Sequence, residues 1–369
     1  MAAAVRGPDR RTPSVGGLGM SGRPPAHVPF SVTVAGDDWR TAALTWLDQQ
    51  LAASGVRIAG PVEQPRIRPW STQLVVPTTD GRVWLKANCP AAAFEPALQE
   101  LLADLAPSAV DRPVAVEPAR GWLVTRDRGR ALGDTRTPTT GDWQQVLRLG
   151  AQLQHAALGH EAAILAAGVP DRRPCLVPAL FDELVERLAR LPRDHPSRLD
   201  GDGVAAVVAV RPRLVEAVER LAASPLPVTL QHADLHPRNV FVLDERSNLD
   251  DRAIGDDRPS VPAGVRLFDF GDAQWAHALE LLCVPRRIVD SPGLARPDVR
   301  WAPIEQAYHE QWGDPVSGAE WAELTTAAAL THAVNRTSTW LDLLQDCTDA
   351  ETGDWGGAPA RQLQTLLTP

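Results

Sequence analysis

Two short segments carry residue types able to do chemistry together: LQHADLHPRNVFVLDE at 230 to 245 and VRLFDFGDAQ at 265 to 274. Each contains an apolar run of strand length, 239 to 244 and 265 to 270, with a polar stretch between them. The spacing predicts an antiparallel pair. Such a pair sets the start of one strand beside the end of the other, so Asn239 and Asp269 share one end. Asp234 lies in the loop just before that end. Three oxygen-bearing side chains then converge with no cysteine among them. That set suits Mg²⁺, a hard cation that takes one or two protein oxygens and fills its shell with phosphate oxygens and water. Asp and Asn are also common turn residues beside a hairpin. The joint pattern with His232, Phe270 and Gly271 argues against turn chemistry alone.

The second signal is a lysine. Lys and Arg together number 37, and Lys86 is the sole lysine among them. It ends the segment STQLVVPTTDGRVWLKA, which reads as two strands joined through an Asp80-Gly81 turn. An arginine-biased chain that keeps one ammonium at a strand end points to a site where a compact point charge and a fork are not equivalent. The following segment, FEPALQELLADLAP, places Phe94, Leu98, Leu101, Leu102 and Leu105 on one helical face. Either Glu95 or Glu100 could pair with Lys86. At 100° per residue Glu95 falls about 75° from the centre of the apolar stripe and Glu100 about 145°. Glu95 is the preferred partner, although Pro96 confines it to the first turn.

These residues resemble a known family. HADLHPRN is similar to the catalytic loop of the protein-kinase-like superfamily and FDFGD to its metal-binding element, with the aminoglycoside phosphotransferase branch the nearer match. The motifs cover residues 231 to 282, and the resemblance extends loosely from about 66 to 345. It implies that Asp234 is the catalytic base, that Asn239 and Asp269 are Mg²⁺ ligands, and that His232 braces the loop. It further implies that Lys86, with Glu95, holds the phosphates of ATP or GTP. The implied activity is transfer of the γ-phosphoryl group to a hydroxyl of an aminoglycoside-like or other polyhydroxylated small molecule. The sequence departs from the pattern in three places. No glycine-rich loop precedes Lys86, since RPWSTQLVV stands there, and Ala233 and Arg238 occupy positions that are usually glycine. Trp70 and Ser71 either cover the nucleotide or, more simply, belong to the core. A protein kinase and a non-catalytic nucleotide-binding scaffold remain alternatives; no Ala-Pro-Glu element follows FDFGD.

The elements that must position these residues read as an α+β, two-lobed kinase-like fold. Residues 1 to 28 form a Pro-, Gly- and Arg-rich tail expected to be disordered, with Met20 a possible start. Residues 29 to 127 form a sheet-rich nucleotide-binding lobe, including a helix over 37 to 55 and two short strands in DRPVAVEPARGWLVTRD. Residues 128 to 369 form a helical lobe carrying the catalytic loop and the acceptor site. Its helices are read at 142 to 159 behind an Asp N-cap, 179 to 191, 203 to 223, 274 to 284 and 319 to 346. The acidic run at 244 to 257 lacks calcium-loop spacing and reads as a solvated hairpin insertion. His155 and His160 are five apart, which suits no shared helical face for a metal.

Bulk composition narrows the remaining classes. A net charge of −9 argues against a nucleic-acid partner and is compatible with a cationic one. No apolar run has the length of a membrane span. The four cysteines, Cys89, Cys175, Cys283 and Cys347, show neither metal-site nor disulfide spacing, so free thiols in a cytoplasmic protein are expected.

Overall fold

A computed structural model describes residues 28–243, 264–313 and 315–367. Residues 1–27 of the N-terminal tail and the whole acidic run at 244 to 257 lie outside these residues. The chain has a two-lobed α+β fold. The first lobe is a five-stranded antiparallel sheet of β1 (Glu63–Ile67), β2 (Ser71–Thr78), β3 (Gly81–Asn88), β4 (Ala115–Glu117) and β5 (Trp122–Arg126), in the order β1-β2-β3-β5-β4. β2 and β3 pair from Ser71 opposite Asn88 to Thr78 opposite Gly81, and Gly81 takes the positive φ that closes this hairpin. β1, which the sequence reading does not contain, pairs with β2.

The sheet has two faces because strand side chains alternate. Val83, Leu85 and Ala87 of β3 are buried in one apolar cluster with Leu74, Val76, Trp122 and Val124. That cluster is completed by Ala43, Trp46, Leu47 and Leu51 of helix α2 (Asp37–Ala52), which follows the short α1 (Phe30–Ala35). Alternation therefore turns Trp84, Lys86 and Asn88 toward the opposite face, where the second lobe lies. Helix α3 (Glu95–Leu105) follows β3 and sends Phe94, Leu98 and Leu102 into the core of that second lobe.

The second lobe continues with α4 (Leu132–Thr135), α5 (Thr140–Ala157), α6 (Glu161–Ala166), α7 (Val177–Ala189), α8 (Gly201–Val208) and α9 (Arg211–Ala222). Strands β6 (Val228–Gln231), β7 (Val240–Val242), β8 (Val265–Leu267) and β9 (Gln274–His277) follow. The described chain then runs through α10 (Cys283–Asp290), α11 (Trp301–His309), α12 (Gly318–Leu343), α13 (Asp349–Trp355) and α14 (Ala358–Gln364). α5 begins earlier than the sequence suggests. Thr139, not Asp142, is its N-cap, and the two form a reciprocal capping box. The single helix read over 203 to 223 is two helices. Pro212 opens the second, where its missing N–H costs nothing, and it could not sit inside a continuous helix.

One expectation is overturned. Residues 274 to 277 form a strand, with all four buried and paired to β6, rather than the start of a helix. A buried four-residue run carries no helical or strand period of its own. The helical character of the segment begins only at Ala278, in a 3₁₀ stretch that leads into α10.

Candidate active site

β7 and β8 pair antiparallel, with Val240 opposite Leu267 and Val242 opposite Val265. Asn239 stands in the 3₁₀ turn just before β7, and Phe268 N donates to its carbonyl at 3.2 Å. Asp269 follows at φ +67°, a left-handed conformation that costs an L-residue about 1–2 kcal/mol. That turn aims the next amide, Phe270 N, at Glu95 Oε1, 2.9 Å away. Ala233, at the position noted as usually glycine, is also left-handed, at φ +57°. His232 is buried and donates from Nε2 to the Phe268 carbonyl at 3.0 Å; a carbonyl can only accept, which fixes the tautomer. Burial lowers its pKa, so the ring is neutral and ties the loop before β7 to the segment after β8.

Lys86 reaches across the cleft from β3. Its Nζ lies 2.6 Å from Glu95 Oε2 and 2.6 Å from Asp269 Oδ1. Burial would strip its proton, but the two carboxylates outweigh that and hold the ammonium charged, above its ordinary pKa. Glu95 is completely buried and accepts a further bond from Asn88 Nδ2 at 2.8 Å, whereas Glu100 is exposed. Gly271 packs against this group: a Cβ there would stand 3.4 Å from Glu95 Oε2 and 3.8 Å from Lys86 Nζ.

Asp234 stands on the other side of Asp269. Asn239 Nδ2 donates to its backbone carbonyl at 2.9 Å. Its carboxylate meets His236 Nε2 at 3.4 Å and Arg336 at 3.2 Å. Burial opposes ionisation there, but Arg336 and then His236 outweigh it and hold the carboxyl well below the usual range. His236 is raised in turn: burial works against its charge, and Asp234 prevails. Arg336 projects from α12 and also pairs with Asp272. Burial first, then Asp234 and Asp269 against the pull of Arg336, pushes Asp272 up to about 6.

Lys86, Glu95, Asp234, Asn239, Asp269 and Asp272 all line one cleft of about 610 Å³ between the lobes. The cleft also has apolar lining beside these groups: Leu123, opposite Lys86 on the sheet, Leu267, and the rings of Phe241 and Phe268, stacked 3.9 Å apart. Trp70, on the turn between β1 and β2, lines the cleft and meets Trp340 and Trp355 edge-on, at 5.6 and 5.0 Å. It is therefore a contact between lobes, packed against the small apolar cluster of Cys89, Ala92 and Leu343.

The donor set fits a hard cation. The Asn239 amide nitrogen is committed to the Asp234 carbonyl, which leaves its oxygen as the free donor atom. Asp269 gives Oδ1 to Lys86 and keeps Oδ2 without a hydrogen bond among the described residues. No described cluster of three His, Cys, Asp or Glu residues could hold a metal on its own. An ion here must complete its shell from phosphate and water, as Mg²⁺ does. Sequence reasoning missed Arg336, 64 residues beyond its partner Asp272. The available signal was the polar string Thr331, His332, Asn335, Arg336, Thr337 and Ser338, all buried within a long helix.

No protein-family model matches the chain, and no curated protein sequence resembles it significantly. Solved structures do match at the level of fold. A macrolide 2′-phosphotransferase from Brachybacterium faecium aligns at TM-score 0.51 and 17% identity over 89% of this chain and 98% of its own. An ethanolamine kinase from Plasmodium vivax aligns at TM-score 0.55 and 11% identity over 82% of each chain. The GDP complex of an aminoglycoside 2′-phosphotransferase variant aligns at TM-score 0.53 and 14% identity over 90% of this chain and 97% of its own. No described helix is long and apolar enough to cross a membrane.

Proposed function

On the premise of a fold shared with small-molecule phosphotransferases, we propose that this chain moves the γ-phosphoryl group of ATP or GTP to a hydroxyl of a small, polyhydroxylated, aminoglycoside-like acceptor. The observation that carries the reading is Lys86 held 2.6 Å from both Glu95 and Asp269. It holds one ammonium in the cleft, where in this reading it meets the nucleotide phosphates. The apolar lining beside it, Leu123, Leu267 and Phe268, suits a planar base.

In this reading Lys86 binds the phosphates, and Glu95 keeps it charged and pointed into the cleft. Asn239 and Asp269 would hold Mg²⁺, which when bound neutralises charge on the phosphate oxygens. Asp234 orients the acceptor hydroxyl. Its depressed pKa makes it a weak base at neutral pH. That suits phosphoryl transfer through a loose transition state, where the hydroxyl proton leaves late and alignment matters more than base strength. The sheet lobe then serves the nucleotide and the helical lobe the acceptor.

Consumption of Mg-ATP and Mg-GTP, screened across aminoglycosides, amino sugars, macrolides and simple alcohols, tests the activity. Asp234→Asn should lose transfer by at least about a hundredfold while binding Mg-nucleotide nearly as the parent does. Transfer that survives in this variant removes Asp234 from the mechanism. A parent that binds nucleotide and phosphorylates nothing on the panel favours a non-catalytic nucleotide-binding protein.

A further inference from the structure

Arg336 is a cation where a long helix has little reason to place one. It lies within the 26-residue α12, is only 5% exposed, and points toward the catalytic loop. Three contacts fix its guanidinium. One nitrogen is 3.2 Å from Asp234 Oδ1, another pairs with Asp272 Oδ1, and the group sits 5.3 Å over the ring of Trp340. Trp340 is itself held edge-on by Trp70 of the sheet lobe. A planar fork sets the spacing of two carboxylates in a way a rotating ammonium does not.

On the opposite side of Asp234, His236 Nδ1 accepts from Arg238 N at 3.1 Å. Its Nε2 therefore carries the hydrogen that faces Asp234 Oδ2. Each Asp234 oxygen thus faces one nitrogen of the protein, at 3.2 and 3.4 Å. A carboxylate oxygen has two lone-pair sites, so each can still accept from an incoming hydroxyl.

We propose that Arg336 is a positioning residue for the transfer: it braces the Asp234 carboxylate against Asp272 and sets the direction from which the acceptor hydroxyl is received. The proposal rests on the phosphotransfer reading above. Arg336 is not among the residues that line the cleft, and its effect passes through the orientation of Asp234. Trp340 covers the guanidinium and limits its freedom to swing away.

The test uses Arg336→Met, Arg336→Lys and the double variant Arg336→Met with Asp272→Asn. The double variant removes the carboxylate that the single change would leave buried and unpaired, so it tests the proposal even where Arg336→Met fails to fold. Calorimetric titration with Mg-ATP counts competent sites, and kcat is expressed per site with the best acceptor from the panel. Loss of alignment should lower kcat about tenfold to a hundredfold in both Met variants, with the nucleotide KM changed less than about twofold. Arg336→Lys, which keeps the charge without the fork, should recover only part. A double variant with the parent kcat per site would overturn the proposal, because Arg336 would then merely offset Asp272. Crystal structures of the parent and the double variant give a readout free of activity: the Asp234 carboxylate should be single in the first and rotated or split in the second. An unchanged carboxylate in the double variant would equally overturn the proposal. Should the parent phosphorylate no acceptor, the phosphotransfer reading fails by itself, and the orientation of Asp234 still decides the role of Arg336.

Discussion

Glu95→Gln changes one atom of the side chain and leaves its volume in place, so it separates charge from packing. The carboxylate is fully buried and receives three donors: Lys86 Nζ at 2.6 Å, Asn88 Nδ2 at 2.8 Å and Phe270 N at 2.9 Å. A glutamine must turn its NH₂ toward some of them. Facing Oε2's place it would oppose two donors; facing Oε1's place it opposes only Phe270 N, and that is the less costly flip. The Phe270 amide is then buried without an acceptor, at about 1–3 kcal/mol, while Lys86 keeps a hydrogen bond to the remaining oxygen and loses the negative charge opposite it. Asp269 still partners Lys86, which keeps the total near the lower end of the range of about 3–5 kcal/mol for breaking a buried pair. A loss of about 3 kcal/mol corresponds to a fall in Tm of about 4 °C for a chain of this length. Glu100→Gln, on the exposed side of the same helix, should stay within about 0.5 kcal/mol of the parent. Thermal denaturation of the three proteins, with calorimetric titration by Mg-ATP, measures both effects. Equal melting and equal nucleotide affinity for Glu95→Gln and Glu100→Gln would refute the assignment of Glu95 as the anchor of Lys86.

Two further outcomes follow from the same cluster. Lys86→Arg retains charge, but the two carboxylates already close on a compact ammonium at 2.6 Å each, a geometry the larger guanidinium does not reproduce. Nucleotide affinity or turnover should fall by about tenfold or more, and unchanged nucleotide kinetics would mean the lone lysine serves no phosphate. Asp272 gives a pH signature: its folded pKa of about 6 lies above the unfolded value of about 3.9. Between these values the folded state holds a proton that the unfolded chain has released, so this group favours folding as pH falls from above 6 toward 4. The Tm of the parent should therefore rise relative to that of Asp272→Asn on acidification from about pH 7.5 to 5, and a difference that does not move with pH would contradict the raised value.

The site was legible where chemistry sits close in sequence. Asn239 and Asp269 flank a hairpin whose strands show their apolar runs, and the helix angle of Glu95 distinguishes it from Glu100. Arg336 was not legible, because nothing near it in sequence announces a carboxylate partner 64 residues away. Its burial comes from the packing of α12, which a weak amphipathic pattern does not reveal. β9 was misread for a related reason: four buried residues in a row have no polar face to betray a period of two. The contacts of Trp70 were not legible either, since Trp340 and Trp355 lie 270 and 285 residues downstream.

That distance has a consequence for synthesis. Ser31 Oγ donates to Glu351 Oε2 at 3.0 Å across 320 positions of chain, and Arg68 rests 5.2 Å from the ring centre of Trp355. Phe30, Trp70, Cys89 and Leu343 share one small apolar cluster drawn from both ends of the molecule. A ribosome releases the sheet lobe first, at roughly 5–20 residues per second. Its α1 and the turn bearing Trp70 lack these distant partners until α12 and α13 emerge, so for most of translation one wall of the cleft has no second side. A stop codon placed just before Thr348 would take away less than a tenth of the chain and leave every proposed catalytic residue in place, yet it would leave Ser31, Arg68 and one edge of Trp70 without their partners for good.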